Sequence, residues 1–203
     1  MHLWMIPVAA IATVVIVIVA DGVGARIVGG LYGLAGIGLY SVSAAAHYKI
    51  WEPKVLHRLF QLDHSMIMIF IAFSTLPVGY DIGGGRGLAL ALGMFLGAFI
   101  GLVAIWTPIH PPRGFMNVLF LAVGWWPVLF VTSIGDALGS GGVILLLIGG
   151  AVFTIGALIV GFQFPNPNPE VFGYHEIWHV FVIVGTSFHY AVVVAIVTGA
   201  TPL

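Results

Sequence analysis

An all-helical membrane bundle is the fold this sequence predicts, on three observations. Hydrophobic residues make up 61% of the 203-residue chain and charged residues 6%, against about a quarter charged in an ordinary soluble domain. Mean hydropathy is +1.15. The few charged side chains gather between long apolar runs whose periodicity is helical rather than alternating, and the runs far exceed the roughly 10 residues of a barrel strand.

The first run, Leu3 to Ala20, lacks a basic leader and a small-residue cleavage site before the next charged loop, so it reads as a helix and not as a secretory signal. The second, Ile27 to Ala46, carries Gly29 and Gly33 four apart on one face, a spacing that lets backbones approach closely inside the bundle or across a dimer face. The third, Ser65 to Tyr80, is the shortest and gains length if Asp63 and His64 belong to it. Gly83, Gly84, Gly85 and Gly87 then form a turn, and with no Lys-Ser or Lys-Thr following they do not make a phosphate loop. The fourth run, Gly87 to Ile109, repeats the small-residue spacing at Gly93, Gly97 and Gly101. Gly114 to Gly135, Ala137 to Phe164 and Ile177 to Leu203 complete the set. A bilayer-spanning helix needs roughly 20 apolar residues. The expectation is a seven-transmembrane helix bundle, with residues 1–203 forming a single membrane domain.

Orientation follows from the basic residues. Lys49, Lys54 and Arg58 fall between the second and third runs and Arg113 between the fourth and fifth, whereas Arg26 and Arg86 lie on the opposite side. The excess predicts a cytoplasmic N-terminus and a C-terminus outside, in a multi-pass protein of the cell membrane, the bacterial inner or plasma membrane. A net charge of −1 gives no polybasic surface for nucleic acid. With no cysteine, thiolate ligands and disulfides are excluded, so any metal must be held by histidine and carboxylates.

Such groups cluster at one depth. His175 and His179, spaced i and i+4 at the start of the last run, share a helix face and can reach one metal ion. His47 ends the second run and Asp63 begins the third, both at that same cytoplasmic level. Three neutral imidazoles with one open position is the donor set of a catalytic zinc site. Polar groups at membrane depth are costly and need such a reason. Ser43 lies one turn before His47 on the same face, although serine in membrane helices commonly bonds back to its own helix carbonyls. Asp63 reads as the group that orients or takes a proton from water at the metal, with a helix cap or a pair with Arg58 as the plainer use. His189 returns to the face of His175 but roughly 21 Å along the axis, too far for the same ion. His64 points about 100° from Asp63, His57 and His110 fall in or beside loops, and His2 is terminal; these read as structural or interfacial. Trp51, Trp106, Trp125, Trp126 and Trp178 read as packing and interface anchors.

Three motifs carry a family likeness: Ser43-Ala-Ala-Ala-His47, Phe60-Gln-Leu-Asp63-His-Ser-Met-Ile, and Pro165-Asn-Pro-Asn-Pro-Glu-Val-Phe-Gly-Tyr-His175-Glu-Ile-Trp-His179. The chain resembles the hemolysin III family, the bacterial branch of the progestin and adipoQ receptors, over its second to seventh helices. The resemblance implies seven helices, a cytoplasmic N-terminus and a zinc ion on His47, His175 and His179, with Asp63 contacting it through water and Ser43 beside it. Related enzymes of the wider superfamily hydrolyse lipid amides, other members are receptors, and bacterial members are linked to membrane-lipid homeostasis. The family often shows a threonine and histidine just before helix 1, where this sequence reads Met1-His2-Leu3, so the likeness is weakest at helix 1, and Phe73-Ser-Thr-Leu76-Pro77 stands where the family usually has Thr-Tyr-Thr-Pro or similar.

Three functions are therefore expected in order. The first is a zinc hydrolase of a lipid amide or ester, with Asp63 as base and then acid and Ser43 near the oxyanion. The second is a receptor, regulator or pore in which zinc is a structural clamp. The third is an intramembrane metalloprotease, because His175-Glu-Ile-Trp-His179 also fits His-Glu-x-x-His with Glu176 as base. A membrane lipid is the expected substrate or ligand.

Overall fold

In the computed structural model, residues 2–107 and 114–200 are described. Eight α-helices follow in order among them: α1 His2–Val19, α2 Gly22–His47, α3 Pro53–Ser74, α4 Leu76–Ile82, α5 Gly84–Trp106, α6 Phe115–Gly124, α7 Val131–Phe162 and α8 Tyr174–Thr198, with a short 3-10 helix, Trp126–Phe130, joining α6 to α7. Among the described residues six stretches are long and apolar enough to cross a membrane, and the fifth is 48 residues long, from Phe115 to Phe162. That run is folded back on itself. Gly139 inside α7 has φ 69° and ψ −179°, a conformation closed to most residues with a Cβ. About it the chain reverses, so that Asn117 faces Gly161 and the Trp125 indole N–H donates to Thr154 Oγ1 at 2.9 Å.

The third apolar run is reorganised relative to the expectation. Its helix starts at Pro53, ten residues before Asp63, because proline suits the first helical turn, where its missing N–H would be unsatisfied anyway. It breaks at Thr75 ahead of Pro77, and α4 completes the crossing. Lys54 and Arg58 consequently ride on the first turns of α3 and not in a loop. Asp63 is buried in the body of that helix instead of capping its start.

The glycine stripes are used inside the bundle. A Cβ on Gly29 or Gly33 would strike Ile16 or Thr13 of α1, and on Gly93, Gly97 or Gly101 it would strike Trp126, Val123 or Met68. Their absence of side chains lets α1 close on α2, and lets α3 and the α6 region close on α5. The opposite face of α5 presents Leu88, Leu92, Leu96 and Phe99 outward, the surface that a lipid tail would wet. One packed cluster joins α1, α2, α3 and α8 around Tyr40, Phe70 and Val197. A second joins α4 to α8 around Leu90, Met94 and Val192. A cavity of about 230 Å³ is lined by residues of both, from the level of His175 to that of Ile134 and His189.

Candidate metal centre

His47 is the last residue of α2, and His175 and His179 occupy the first two turns of α8. The fold brings these helix ends together, and one ring nitrogen from each of the three histidines lies within 4.8 Å of the others. The Nε2 atoms of His47 and His175 are 3.1 Å apart. Zinc–imidazole bonds of about 2.0–2.1 Å in a tetrahedron put neighbouring ligand nitrogens roughly 3.3 Å apart. The His47–His175 edge therefore already has the spacing of a ligand pair, and His179 offers a nitrogen within 4.8 Å of both. Three imidazoles, with no thiolate available in the chain, suit zinc and leave room for a fourth, exchangeable position. His179 is buried, His175 half-buried and His47 exposed; His175 and His179 line one end of the cavity, and His47 lies beside that end without lining it.

The start of α8 explains the glutamate between the two histidines. The Gly173 N–H donates to Glu176 Oε2 at 2.8 Å, and the Tyr174 N–H donates to Asn166 Oδ1 at 3.3 Å. Glu176 thus satisfies one of the four N–H groups that a helix start leaves unpaired. The carboxylate is turned to the backbone, and it is the histidines flanking it that face the centre.

Ser43 and Asp63 are both buried. Ser65, Thr13 and Thr186 bond back to their own helices; Ser43 Oγ instead lies 2.9 Å from Nδ1 of His2. The Asp63 carboxyl has Ser43, His47 and His64 as neighbours. His2 departs most from expectation. Read from the sequence as terminal and structural or interfacial, it is 4% exposed, stacks on the His179 ring at 4.0 Å and 10°, and meets Tyr40 edge-on at 5.0 Å. Its Nε2 has no hydrogen-bond partner. The sequence did hold a signal, a histidine just ahead of the first apolar run, but nothing local says that α1 lies against both α2 and α8.

The other polar groups divide as follows. His64 also lines the cavity, with Nδ1 held by the Phe60 carbonyl at 2.8 Å, so it faces the space that Asp63 faces. His189 lines the far part of the same cavity beside Gly149 and the edge of Phe153, away from the triad. His57 is exposed on α3, and His110 and Arg113 lie outside the described residues. The indole N–H groups of Trp51 and Trp106 donate to Ala45 O and Ser65 Oγ, and Trp178 packs on Gly156; none joins the histidine cluster.

Fold and site together define a multi-pass helical membrane protein with a three-histidine cluster at one end of an internal, largely apolar cavity. Comparison with known proteins adds the family. The chain matches the family described as haemolysin-III related over residues 1–190, and it belongs to that family. It is 28% identical over 161 residues to Hemolysin-3 of Bacillus cereus, covering 77% of this chain and 69% of that protein. It is 26% identical over 195 residues to the monocyte to macrophage differentiation factor of Homo sapiens, covering 93% and 78%. A Hemolysin-3 homolog of Bacillus subtilis is 26% identical over 168 residues, covering 77% and 71%.

Proposed function

We propose that this protein is a zinc-dependent hydrolase of a lipid amide or ester, acting in membrane-lipid homeostasis. The observation that carries the reading is the convergence of His47, His175 and His179 beside a largely apolar cavity that His175 and His179 line. A head group would reside at the histidines and a chain would run toward His189. Zinc held by those imidazoles would supply Lewis acidity toward a carbonyl and make water easier to deprotonate. Asp63, buried beside the centre, takes the proton from the attacking water and returns it to the leaving group. The Ser43 hydroxyl, held beside Asp63 and His2, lies where it can orient the carbonyl oxygen. The apolar walls limit water to the mouth, which strengthens each of these electrostatic interactions.

Seven membrane passes belong to this reading. A stretch of 48 residues is more than twice the roughly 20 a pass requires, and the reversal at Gly139 supports two passes in it. With Lys49, Lys54 and Arg58 at the end of the bundle where His47 sits, the positive-inside rule supports a cytoplasmic N-terminus and centre and an external C-terminus.

A receptor or regulator using the metal as a structural clamp is the second reading, favoured by the way the triad ties α2 to α8 across 128 residues of sequence. The protease reading is disfavoured by the engagement of Glu176 with Gly173. The test is metal content of the purified chain together with release of fatty acid from an N-acyl lipid and from its ester in reconstituted membranes. Stoichiometric zinc with product supports the hydrolase; zinc without product favours the clamp.

A further inference from the structure

His2 breaks a rule that protein interiors usually keep. Its buried Nε2 is left without a hydrogen-bond partner, and a leucine would fill the same space without that cost. Local rules are broken this way most often where a site requires it. The stacked partner supplies the requirement. A ligand imidazole is ordinarily held in its tautomer and orientation by a carboxylate, carbonyl or water on its second nitrogen. Among the described residues no side chain or carbonyl hydrogen-bonds the His179 ring; the His2 ring lies flat against it, 4.0 Å away and 10° from parallel. The His2 ring is itself fixed by Ser43 Oγ at 2.9 Å from Nδ1 and by the edge contact with Tyr40.

We propose that His2 is a positioning residue: clamped by Ser43, its ring holds the His179 imidazole by face-to-face stacking in the orientation that a shared metal ion needs. The inference rests on the metal centre proposed above and assigns Ser43 a second task, since its hydroxyl sets the edge of the ring that sets the ligand. It also places α1 in the site, so that the centre draws on four helices and not on three. Stacking needs a flat ring in that place and the clamp needs its Nδ1, but neither uses Nε2 as a ligand, which makes the proposal separable from one in which His2 itself binds the metal.

The test uses the full chain in detergent micelles, zinc alone as the probe and a fluorescent chelator as competitor. His2→Ala should weaken zinc binding by about 10- to 100-fold, the usual effect of losing a ligand's support, while His2→Phe, which keeps the flat ring and gives up the Ser43 bond, should weaken it less. Ser43→Ala, which also keeps a ring and gives up the same bond, should match His2→Phe. The visible spectrum of the cobalt-substituted protein should change most with His2→Ala and less, and alike, with His2→Phe and Ser43→Ala, a signature that general loosening of the bundle would not sort by ring shape. The melting temperature of the zinc-free protein is the folding control, and if His2→Ala does not fold, the other two variants carry the test. Equal affinity of His2→Ala and the unsubstituted protein overturns the proposal, as does a His2→Phe as weak as the alanine variant. An unsubstituted protein that holds no zinc overturns the metal centre and this inference together; one that holds zinc indifferent to His2 and Ser43 overturns the inference alone.

Discussion

Removing one imidazole from the cluster should lower zinc affinity by a computable amount. Four-ligand zinc sites in small peptides are worth about 10–16 kcal/mol at neutral pH, or roughly 2.5–4 kcal/mol per ligand, and each 1.4 kcal/mol is tenfold in affinity. His47→Ala, His175→Ala and His179→Ala should each therefore weaken binding by about 10²- to 10³-fold. His179, buried where the other two are more open, should sit at the upper end, because a water entering its place must be taken into an apolar wall. His189→Ala is the matched control: it lies on the same helix and lines the same cavity, yet ten residues of helix put it roughly 15 Å further along the axis. The assay is zinc content by elemental analysis after dialysis against graded chelator. Three alanine variants that keep their zinc, or a His189→Ala that loses it equally, would refute a centre at the helix ends.

Asp63→Asn should retain zinc and lower turnover of an N-acyl lipid by about 10²- to 10⁴-fold, the usual effect of losing a general base; full activity in a zinc-loaded Asp63→Asn would remove Asp63 from the mechanism. Glu176→Ala should act through the helix start, lowering stability by about 0.5–2 kcal/mol as other lost caps do while the bound zinc remains, as read by thermal melting beside metal content. Gly97→Leu would drive a side chain into Val123 and should destabilise the bundle by about 1–3 kcal/mol, measured as a fall in melting temperature in detergent. A reporter active only outside the cytoplasm, fused after Leu203, should be active, and a cytoplasm-only fluorescent reporter there should stay dark.

The helical membrane class was legible because hydropathy and the spacing of charges are summed over long windows, where single exceptions do not matter. The triad was legible for a related reason: His175 and His179 are fixed by helical geometry alone, and His47 by its place at a run's end. What the sequence hid depends on contacts between distant elements. That α3 begins at Pro53 was obscured by Lys54, Arg58 and Asp63, since charges at a membrane boundary look like a loop. The division of the 115–162 region was expected at Asp136, the one charged residue there, whereas the reversal falls at Gly139, where a positive φ is needed. Glu176 sat inside a metalloprotease pattern, and only its bond to the Gly173 N–H separates a cap from a base. His2 carried no spacing signal at all, because its neighbours Ser43 and His179 belong to other helices.

The cluster also imposes an order on how the protein is made. His47 and His175 are 128 positions apart, and at the roughly 5–20 residues per second of ribosomal synthesis the second follows the first by about 6–25 s. Throughout that interval His47 is at the end of α2 with neither of its partners yet synthesised. A metal ion can find its full set of donors only after the last helix has entered the membrane and settled against the second. At the proposed centre, loading would thus be a final event in biogenesis, and a chain stalled before α8 would carry His47 without the other two donors.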